Sequence, residues 1–225
     1  MAKLIVIEGT DCSGKETQSD LLFEHLLNDD IKIVKKFFPN YDSPTGKIVG
    51  GPYLGKNHIS NGYFNEGAVN VDPKVASLYY AADRLYNIKE IKSLLDNGVN
   101  VLLDRYVQSN MAHQGAKLTT PEERLEMYRF LEKLEYELLE LPRPDCVIFL
   151  HMPYQQASKL KSNRSELPDQ HEASSQHLRQ AEAAYLEMAK LYDFEVIKCV
   201  DEGKIKSKEE THQEVYKRVR QHLIK

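Results

Sequence analysis

The feature that most constrains the fold is a short apolar run that leads through a glycine-containing loop into a segment with helical leucine spacing. This arrangement, strand then loop then helix, recurs along the chain. The strand-like apolar runs are residues 3–7, 31–37, 99–104, 145–152 and 194–200. Strands that are continuously apolar and alternate with helices favour a parallel sheet covered on both faces. We therefore predict a three-layer α/β/α fold with a five-stranded parallel sheet.

Helix-starting and helix-ending residues locate the intervening helices. A long helix from residue 73 ends at Gly98, and a helix of about 20 residues starts at Thr120 and Pro121. Another helix covers roughly 172–192, and Ser207 with Glu210 forms a capping box for the last one. The residues expected to form the apolar stripe of the long helix are Val75, Leu78, Ala82, Leu85, Ile88 and Leu95.

Two segments are less regular. Residues 39–71 hold six of the 11 glycines, which predicts a loop-rich excursion with one helix near 44–54. Residues 159–171 are polar with charges of both signs, as in a mobile surface flap. We expect a single domain over residues 1–225.

The composition excludes several classes of protein. The formal net charge of -4, with basic residues spread along the chain, indicates no general attraction to nucleic acid or anionic membranes. Three cysteines without metal-like spacing argue against a disulfide framework or a zinc site. The apolar run near Met1 is too short for a signal peptide or a membrane span. These observations predict a cytoplasmic protein.

The first loop carries a phosphate-binding pattern. Gly9, Gly14 and Lys15 match the spacing GxxxxGK, but Glu16 occupies the usual Ser or Thr position and Thr17 follows it. Backbone N–H groups converge on phosphate in such a loop, and the N-terminus of the next helix favours the anion. The alternative is a glycine-containing turn with a surface lysine.

A second candidate is the pair Asp104 and Arg105, which follows the apolar run 99–104. The carboxyl ends of parallel strands line the ligand crevice of such sheets. A carboxylate there can hold magnesium, and a guanidinium can stabilise a phosphoryl group in transfer. The alternative is a structural ion pair that closes the strand.

These motifs, taken in order, resemble one family. The segments are "IEGTDCSGKETQ", "FFPNYDSPTGK", "YYAADR" and "DRYVQSNMAHQGAK". They are similar to the motifs of the thymidylate kinase (dTMP kinase) family, which are P-loop nucleoside monophosphate kinases. The resemblance implies a P-loop NTPase type of fold with a small LID segment, about 155–172. It also implies Mg²⁺-dependent transfer of the γ-phosphate of ATP to dTMP, giving dTDP for dTTP biosynthesis, and a homodimer.

The resemblance also assigns roles to individual residues. Tyr80 would stack on thymine, and Arg84 would bond the O4 atom of the base. The ATP-binding residues would be Gly9, Thr10, Asp11, Cys12, Ser13, Gly14, Lys15, Glu16 and Thr17. The dTMP-binding residues would be Asp11, Phe38, Tyr41, Tyr80, Arg84, Arg105, Ser109, Asn110 and Gln114. The catalytic residues would be Asp11, Lys15, Arg105 and Arg164, and Glu172 would approach the acceptor or its metal. Apart from the resemblance, we expect Glu16 and Asp104 to contact the metal, because carboxylate oxygens are good magnesium ligands.

The sequence departs from the family pattern at three positions. Asn40 and Tyr41 stand where many relatives carry an arginine, and Cys12 stands where some relatives carry another. A basic LID residue would then be needed, with Arg164 the first candidate. His113 replaces a Tyr or Phe beside the 2′ carbon of the sugar. The competing hypotheses are a deoxynucleoside kinase or UMP/CMP-type kinase, and a non-catalytic nucleotide-binding regulator.

Overall fold

Five parallel strands form one sheet in the computed structural model, which describes residues 1–161, 170–171 and 173–223. The strands are β1 (Leu4–Gly9), β2 (Ile33–Phe37), β3 (Asn100–Asp104), β4 (Cys146–His151) and β5 (Glu195–Lys198). Their order is β2-β3-β1-β4-β5, and every neighbouring pair is parallel. The first strand therefore lies in the middle of the sheet, and the chain crosses from one side of it to the other.

Both faces of the sheet are buried, which confirms the three-layer prediction. Along β1, Leu4 and Val6 belong to one hydrophobic core, while Ile5 and Ile7 belong to the other. Consecutive side chains of a strand point to opposite faces, so a strand between two helical layers must be apolar throughout. This explains why the inner strands β1, β3 and β4 are largely apolar. The edge strands β2 and β5 are less buried and also carry Lys35, Lys36, Glu195 and Lys198.

Eight α-helices are present in the described part of the chain. They are α1 (Lys15–Asn28), α2 (Pro44–Ile48), α3 (Pro73–Asp96), α4 (Val107–Gly115), α5 (Pro121–Leu131), α6 (Tyr154–Lys161), α7 (Ser175–Leu191) and α8 (Lys208–Leu223). Side chains of α3, α4, α5 and α7 fill one core, and those of α1, α6 and α8 fill the other. None of these helices is long and apolar enough to cross a bilayer.

The capping signals behave as predicted. Thr120 and Glu123 form a reciprocal capping box at the start of α5. Ser207 and Glu210 form the same arrangement before α8, with donor–acceptor distances of 2.7 and 3.1 Å. The predicted 20-residue helix is α5 followed by a π-helical segment, Glu132–Leu138. Helix α4 and a small hairpin, Val200–Asp201 with Lys204–Ile205, were not predicted.

The predicted apolar stripe of α3 is wrong. Val75, Leu78 and Leu85 are 43%, 51% and 43% exposed, whereas the buried face includes the polar residues Asp83 and Arg84. Those two charges are buried because distant parts of the chain supply their partners, which a local pattern does not reveal. Only the end of the stripe is correct: Ile88 is buried and Leu95 is partly buried.

The excursion over residues 39–71 contains α2, a π-helical turn (Val49–Tyr53) and its own small hydrophobic cluster. Gln170 docks against it, because the Ala68 N–H donates to Gln170 Oε1 at 2.6 Å. Two glycines leave room for this amide. A Cβ at Gly62 would lie 2.7 Å from Gln170 Nε2, and one at Gly55 would lie 3.0 Å away. Helix α6 covers the start of the predicted flap, and residues 162–169 lie outside the described part.

Candidate active site

The loop between β1 and α1 has a backbone that requires glycine at its first position. A Cβ on Gly9 would lie 2.3 Å from Ser13 Oγ and 2.9 Å from the Leu150 carbonyl oxygen. Gly14 caps α1 with a φ of 78°, a conformation that glycine adopts without steric cost. Thr10 Oγ1 donates to the Met152 carbonyl at 2.7 Å, which ties the loop to the end of β4. The loop is thus held in shape at the N-terminus of α1.

Lys15 lies within this loop. Its Nζ donates to the Thr10 carbonyl oxygen at 3.0 Å, and the residue is buried. Burial lowers the pKa of Lys15 to about 8; Arg105 adds to the shift, while Asp104 and Asp11 oppose it. The Lys15 ammonium group is therefore held against the backbone of the loop, with Asp104 and Asp11 favouring its charge.

Glu8 connects the loop to the start of α4. Its carboxylate accepts hydrogen bonds from the Tyr106 N–H at 2.8 Å, from Ser109 Oγ at 2.6 Å and from the Tyr185 hydroxyl at 2.8 Å. Burial raises the pKa of Glu8, and the nearby Arg105 opposes this shift. No role for Glu8 was predicted, although a carboxylate at the end of an apolar strand was the signal that could have found it.

Arg105 follows β3 in a left-handed conformation, with a φ of 66°. Its Nη1 donates to Ser109 Oγ at 3.2 Å, so Ser109 contacts both Arg105 and Glu8. Burial opposes the charge of Arg105, but Tyr185, Asp104 and Glu8 together hold its pKa above the ordinary value. The guanidinium therefore stays charged where Arg105 lines the cavity.

Asp104 has the features of a metal ligand. Its Oδ1 is buried and has no hydrogen-bond partner among the described residues, and it borders the same cavity as Glu16 and Asp11. A buried carboxylate oxygen without a partner is costly unless a proton donor or cation is bound there. Magnesium prefers such oxygen ligands, so this donor set fits it.

A cavity of about 430 Å³ joins these groups. The predicted site residues that line it are Gly9, Thr10, Asp11, Glu16, Phe38, Tyr41, Tyr80, Arg84, Asp104, Arg105 and Ser109. Those that do not line it are Cys12, Ser13, Gly14, Lys15, Thr17, Asn110 and Gln114. Arg164 and Glu172 lie outside the described residues. The side chain of Gln114 is fully buried, and neither its Oε1 nor its Nε2 has a partner in the described part.

The end of the cavity away from the loop has an aromatic wall and a buried arginine. The Tyr80 ring packs edge-on against Tyr53, with centroids 5.7 Å apart. Arg84 forms two charge-assisted hydrogen bonds to Glu135, one of them 2.6 Å long from Nη2. Asn110 Nδ2 also donates to Glu135, at 3.0 Å. Glu135 belongs to the π-helical segment, and no local motif indicated it.

Asp83, one residue before Arg84, holds the segment that follows β2. Its carboxylate accepts from the Asn40 N–H at 2.8 Å, from Ser43 Oγ at 3.0 Å and from Thr45 Oγ1 at 2.8 Å. This places Phe38 at the cavity. The polar residues of the "FFPNYDSPT" segment therefore serve to attach it to α3.

Sequence reasoning missed much of the opposite wall. Helix α7 contributes Leu178, Ala181, Glu182 and Tyr185, and the segment before it contributes His171. These positions are far from the motifs and carry no recognisable pattern of their own. The remaining lining residues that were not predicted are Lys35, Phe37, Pro39, Leu54, Lys56 and Tyr106. His113, which the resemblance places beside the sugar, also lines the cavity.

Comparison with protein families decides the affiliation. The family model described as thymidylate kinase matches residues 7–215. The chain belongs to the thymidylate kinase family. This membership agrees with the order of the four sequence motifs. It rests on a match over residues 7–215, whereas the motifs are short segments.

Individual members of the thymidylate kinase family show how far the similarity extends. A thymidylate kinase of Plasmodium falciparum is 36% identical over 116 residues, covering 52% of this chain and 50% of the relative. A thymidylate kinase of Schizosaccharomyces pombe is 32% identical over 155 residues, covering 67% of this chain and 61% of the relative. The chain thus spans about half to three fifths of the length of these two. A probable thymidylate kinase of Saccharolobus solfataricus is 30% identical and is matched over 88% of both chains.

A solved structure of thymidylate kinase from Candida albicans shares the fold, with a TM-score of 0.69. The match covers 98% of this chain and 92% of the other, at 23% sequence identity. Such a likeness supports the architecture of the sheet and its helices.

Proposed function

We propose that this protein transfers the γ-phosphoryl group of ATP to dTMP, giving dTDP and ADP. The observation that carries the proposal is that one cavity joins the phosphate loop, through Asp11, to Arg105 and to the wall formed by Tyr80 and Arg84. A donor phosphate on the loop would face an acceptor whose base lies against the aromatic ring. Membership of the thymidylate kinase family supports this choice of substrates.

The chemistry needs alignment and charge neutralisation more than acid–base help, because the attacking phosphate oxygen is already ionised. The loop N–H groups and Lys15 would hold the ATP phosphates. Arg105 would clamp the acceptor phosphate, and its bond to Ser109 fixes the direction of the guanidinium. Two cations on either side of the transferring group would stabilise the charge that develops on it.

We propose that Asp104 and Glu16 hold Mg²⁺, directly or through water. The buried, unpartnered Oδ1 of Asp104 and the position of Glu16 on the cavity support this assignment. Bound magnesium would neutralise charge on the nucleotide phosphates. Glu16 is charged, unlike the usual hydroxyl, so nucleotide affinity should depend more strongly on the metal.

The LID assignment is also a proposal. We infer that residues 155–172 act as a LID within a single domain, 1–225, and that Arg164 closes over ATP, with Glu172 near the metal. Helix α6 and the docked Gln170 stand at the two ends of this segment. Closure would exclude water from the phosphoryl group.

A cytoplasmic location is consistent with three free cysteines.

We further propose a homodimer formed through α3. Val75, Leu78, Leu85 and Tyr86 are 43%, 51%, 43% and 60% exposed on this helix. Such a row of large apolar side chains on one element indicates a surface that another molecule covers.

The function is tested by a coupled assay of ADP release with dTMP, dUMP, thymidine, UMP and CMP as acceptors. We expect dTMP to give the highest kcat/KM. Lys15→Ala and Arg105→Ala should each lower the kcat/KM for dTMP by about 100-fold or more, because each removes a charge at the transferring group. Lys217→Ala, at an exposed position of α8, is the matched control and should keep normal turnover.

The other outcomes identify the competing hypotheses. If thymidine outperforms dTMP, the protein is a deoxynucleoside kinase. If UMP or CMP is preferred, it is a UMP/CMP-type kinase. If ATP and dTMP bind but no acceptor is phosphorylated, it is a non-catalytic nucleotide-binding regulator.

A further inference from the structure

Three histidines meet at the edge of the cavity, although they lie far apart in the sequence. His113 comes from α4, His177 from the first turn of α7, and His171 from the segment that docks on the excursion. Each offers one ring nitrogen, and the three nitrogen atoms lie within 4.8 Å of one another. His171 and His177 are buried, and His113 is partly buried.

The spacing of the rings suits a shared ion. Zinc binds imidazole nitrogen at about 2.0–2.1 Å, which places tetrahedral ligand atoms about 3.3 Å apart and ring centres about 5 Å apart. His113 Nδ1 and His177 Nε2 are 3.1 Å apart. The three centroid separations are 5.3, 5.4 and 4.6 Å. The widest nitrogen gap would have to close by at most about 1.5 Å, which side-chain rotation can supply.

The surroundings keep His113 and His171 neutral and orient the His171 ring. Burial lowers the pKa of His113 well below its ordinary value, and burial together with Lys117 lowers that of His171 to about 3. A neutral imidazole is the form that binds metals. The Tyr53 hydroxyl lies 3.1 Å from His171 Nε2 and fixes that ring, as outer contacts do for metal-binding histidines.

Positive charges near the cluster oppose a cation here. Arg105 and Lys15 help to lower the pKa of His113, and Lys117 and Arg105 help to lower that of His171. Lys117 Nζ lies 3.1 Å from the Tyr53 hydroxyl, behind His171. It also donates to the carbonyl oxygens of Ala68 at 2.8 Å and Val71 at 2.9 Å, so its charge is partly compensated by oxygen atoms. Burial lowers the pKa of Lys117 to about 8, while the nearby Asp72 opposes this shift.

We propose that His113, His171 and His177 bind one divalent transition-metal ion, and we expect this ion to be Zn²⁺. Three imidazole nitrogens select zinc and its neighbours over magnesium, so this site is chemically separate from the carboxylates of the phosphate-binding region. The cysteine spacing that argues against zinc does not bear on it, because no cysteine takes part. The inference does not depend on the proposed kinase activity.

The fourth position of the ion would face the cavity, because His113 and His171 line it and His177 lies behind them. Water or a ligand in the cavity would fill that position, as at zinc sites with three protein ligands. The ion would also join three parts of the chain, namely α4, α7 and the segment 170–171. Zinc should therefore raise the thermal stability of the folded protein.

The test uses the full-length, untagged protein without nucleotide, stripped with a chelator and titrated with ZnCl₂ against a chromophoric zinc chelator. We expect one equivalent of tight binding and an increase in Tm on zinc addition. His113→Asn, His171→Asn and His177→Asn should each weaken zinc binding at least about tenfold. Millimolar Mg²⁺ should not displace the zinc.

His212→Asn is the matched control, because His212 Nε2 lies 2.9 Å from His25 Nδ1 and forms another close histidine pair. This variant should keep the tight site. Circular dichroism and the metal-free Tm show whether each cluster variant folds, and Co²⁺ absorption of the wild type gives a reading that needs no variant. A tetrahedral Co²⁺ spectrum is expected. The proposal would be overturned if the wild type did not bind zinc tightly. It would also be overturned if the His177→Asn and His113→Asn variants bound zinc as tightly as the wild type.

Discussion

One carboxylate, Glu8, holds together three parts of the candidate site. It is the second-last residue of the central strand β1. Its carboxylate accepts hydrogen bonds from the backbone of Tyr106, from Ser109 and from Tyr185. Ser109 in turn contacts Arg105. Glu8 therefore acts as a positioning residue for a guanidinium that we expect to bind phosphate.

We predict that Glu8→Gln lowers stability by about 2–3 kcal/mol, because the new amide N–H groups meet donors at a fully buried position. The kcat for dTMP should fall with it as Arg105 loses its fixed direction. Urea denaturation and the coupled assay measure the two effects. Glu24→Gln, on the exposed face of α1, is the control and should change neither. Wild-type stability and turnover in Glu8→Gln would show that Glu8 has no positioning role.

Helix α3 shows why a local pattern can assign the wrong face of an element. Its buried face carries Asp83 and Arg84, whose partners lie 43 and 51 residues away, at Asn40 and Glu135. Burial of charged groups depends on such partners, which hydrophobic periodicity does not register. The apolar row that periodicity selected is the face left at the surface.

We predict that Asp83→Asn costs about 2–4 kcal/mol, since several donors lose a charged acceptor at a buried position. The segment 40–45 should loosen, and KM for dTMP should rise more than kcat falls. Denaturation and steady-state kinetics measure these changes. Asp96→Asn, at the exposed end of the same helix, should alter stability by less than about 0.5 kcal/mol. Equal effects of both substitutions would contradict the prediction.

Much of the fold was predictable because its determinants are local. The inner strands β1, β3 and β4 lie between two helical layers and are therefore largely apolar. The caps of α5 and α8 depend on residues three apart. The loop residues of the site were predictable for the same reason. Glu135, Tyr185, His171 and His177 were not, because each reaches the site only through tertiary packing. The short α4 was missed because it has no distinctive pattern.

The exposed row on α3 bears on the assembly of the whole molecule. We predict that Leu78→Asp with Leu85→Asp converts a dimer into a monomer without lowering the Tm by more than a few degrees, since neither side chain contributes to the core. Light scattering coupled to size-exclusion chromatography measures the mass. Leu191→Asp, at a 52% exposed position of α7, is the control and should leave the dimer intact. A wild-type monomer would refute the dimer itself.

The docking of Gln170 also has a consequence for variation among related sequences. Its amide occupies space that a side chain at Gly62 or Gly55 would fill, and it accepts the N–H of Ala68. These positions lie more than 100 residues from Gln170, yet none can change size alone without a clash or a lost hydrogen bond. In relatives that keep this excursion, positions 62 and 170 should therefore covary, with a larger residue at 62 accompanied by a smaller one at 170. Position 55 should stay glycine, because its φ is 67°.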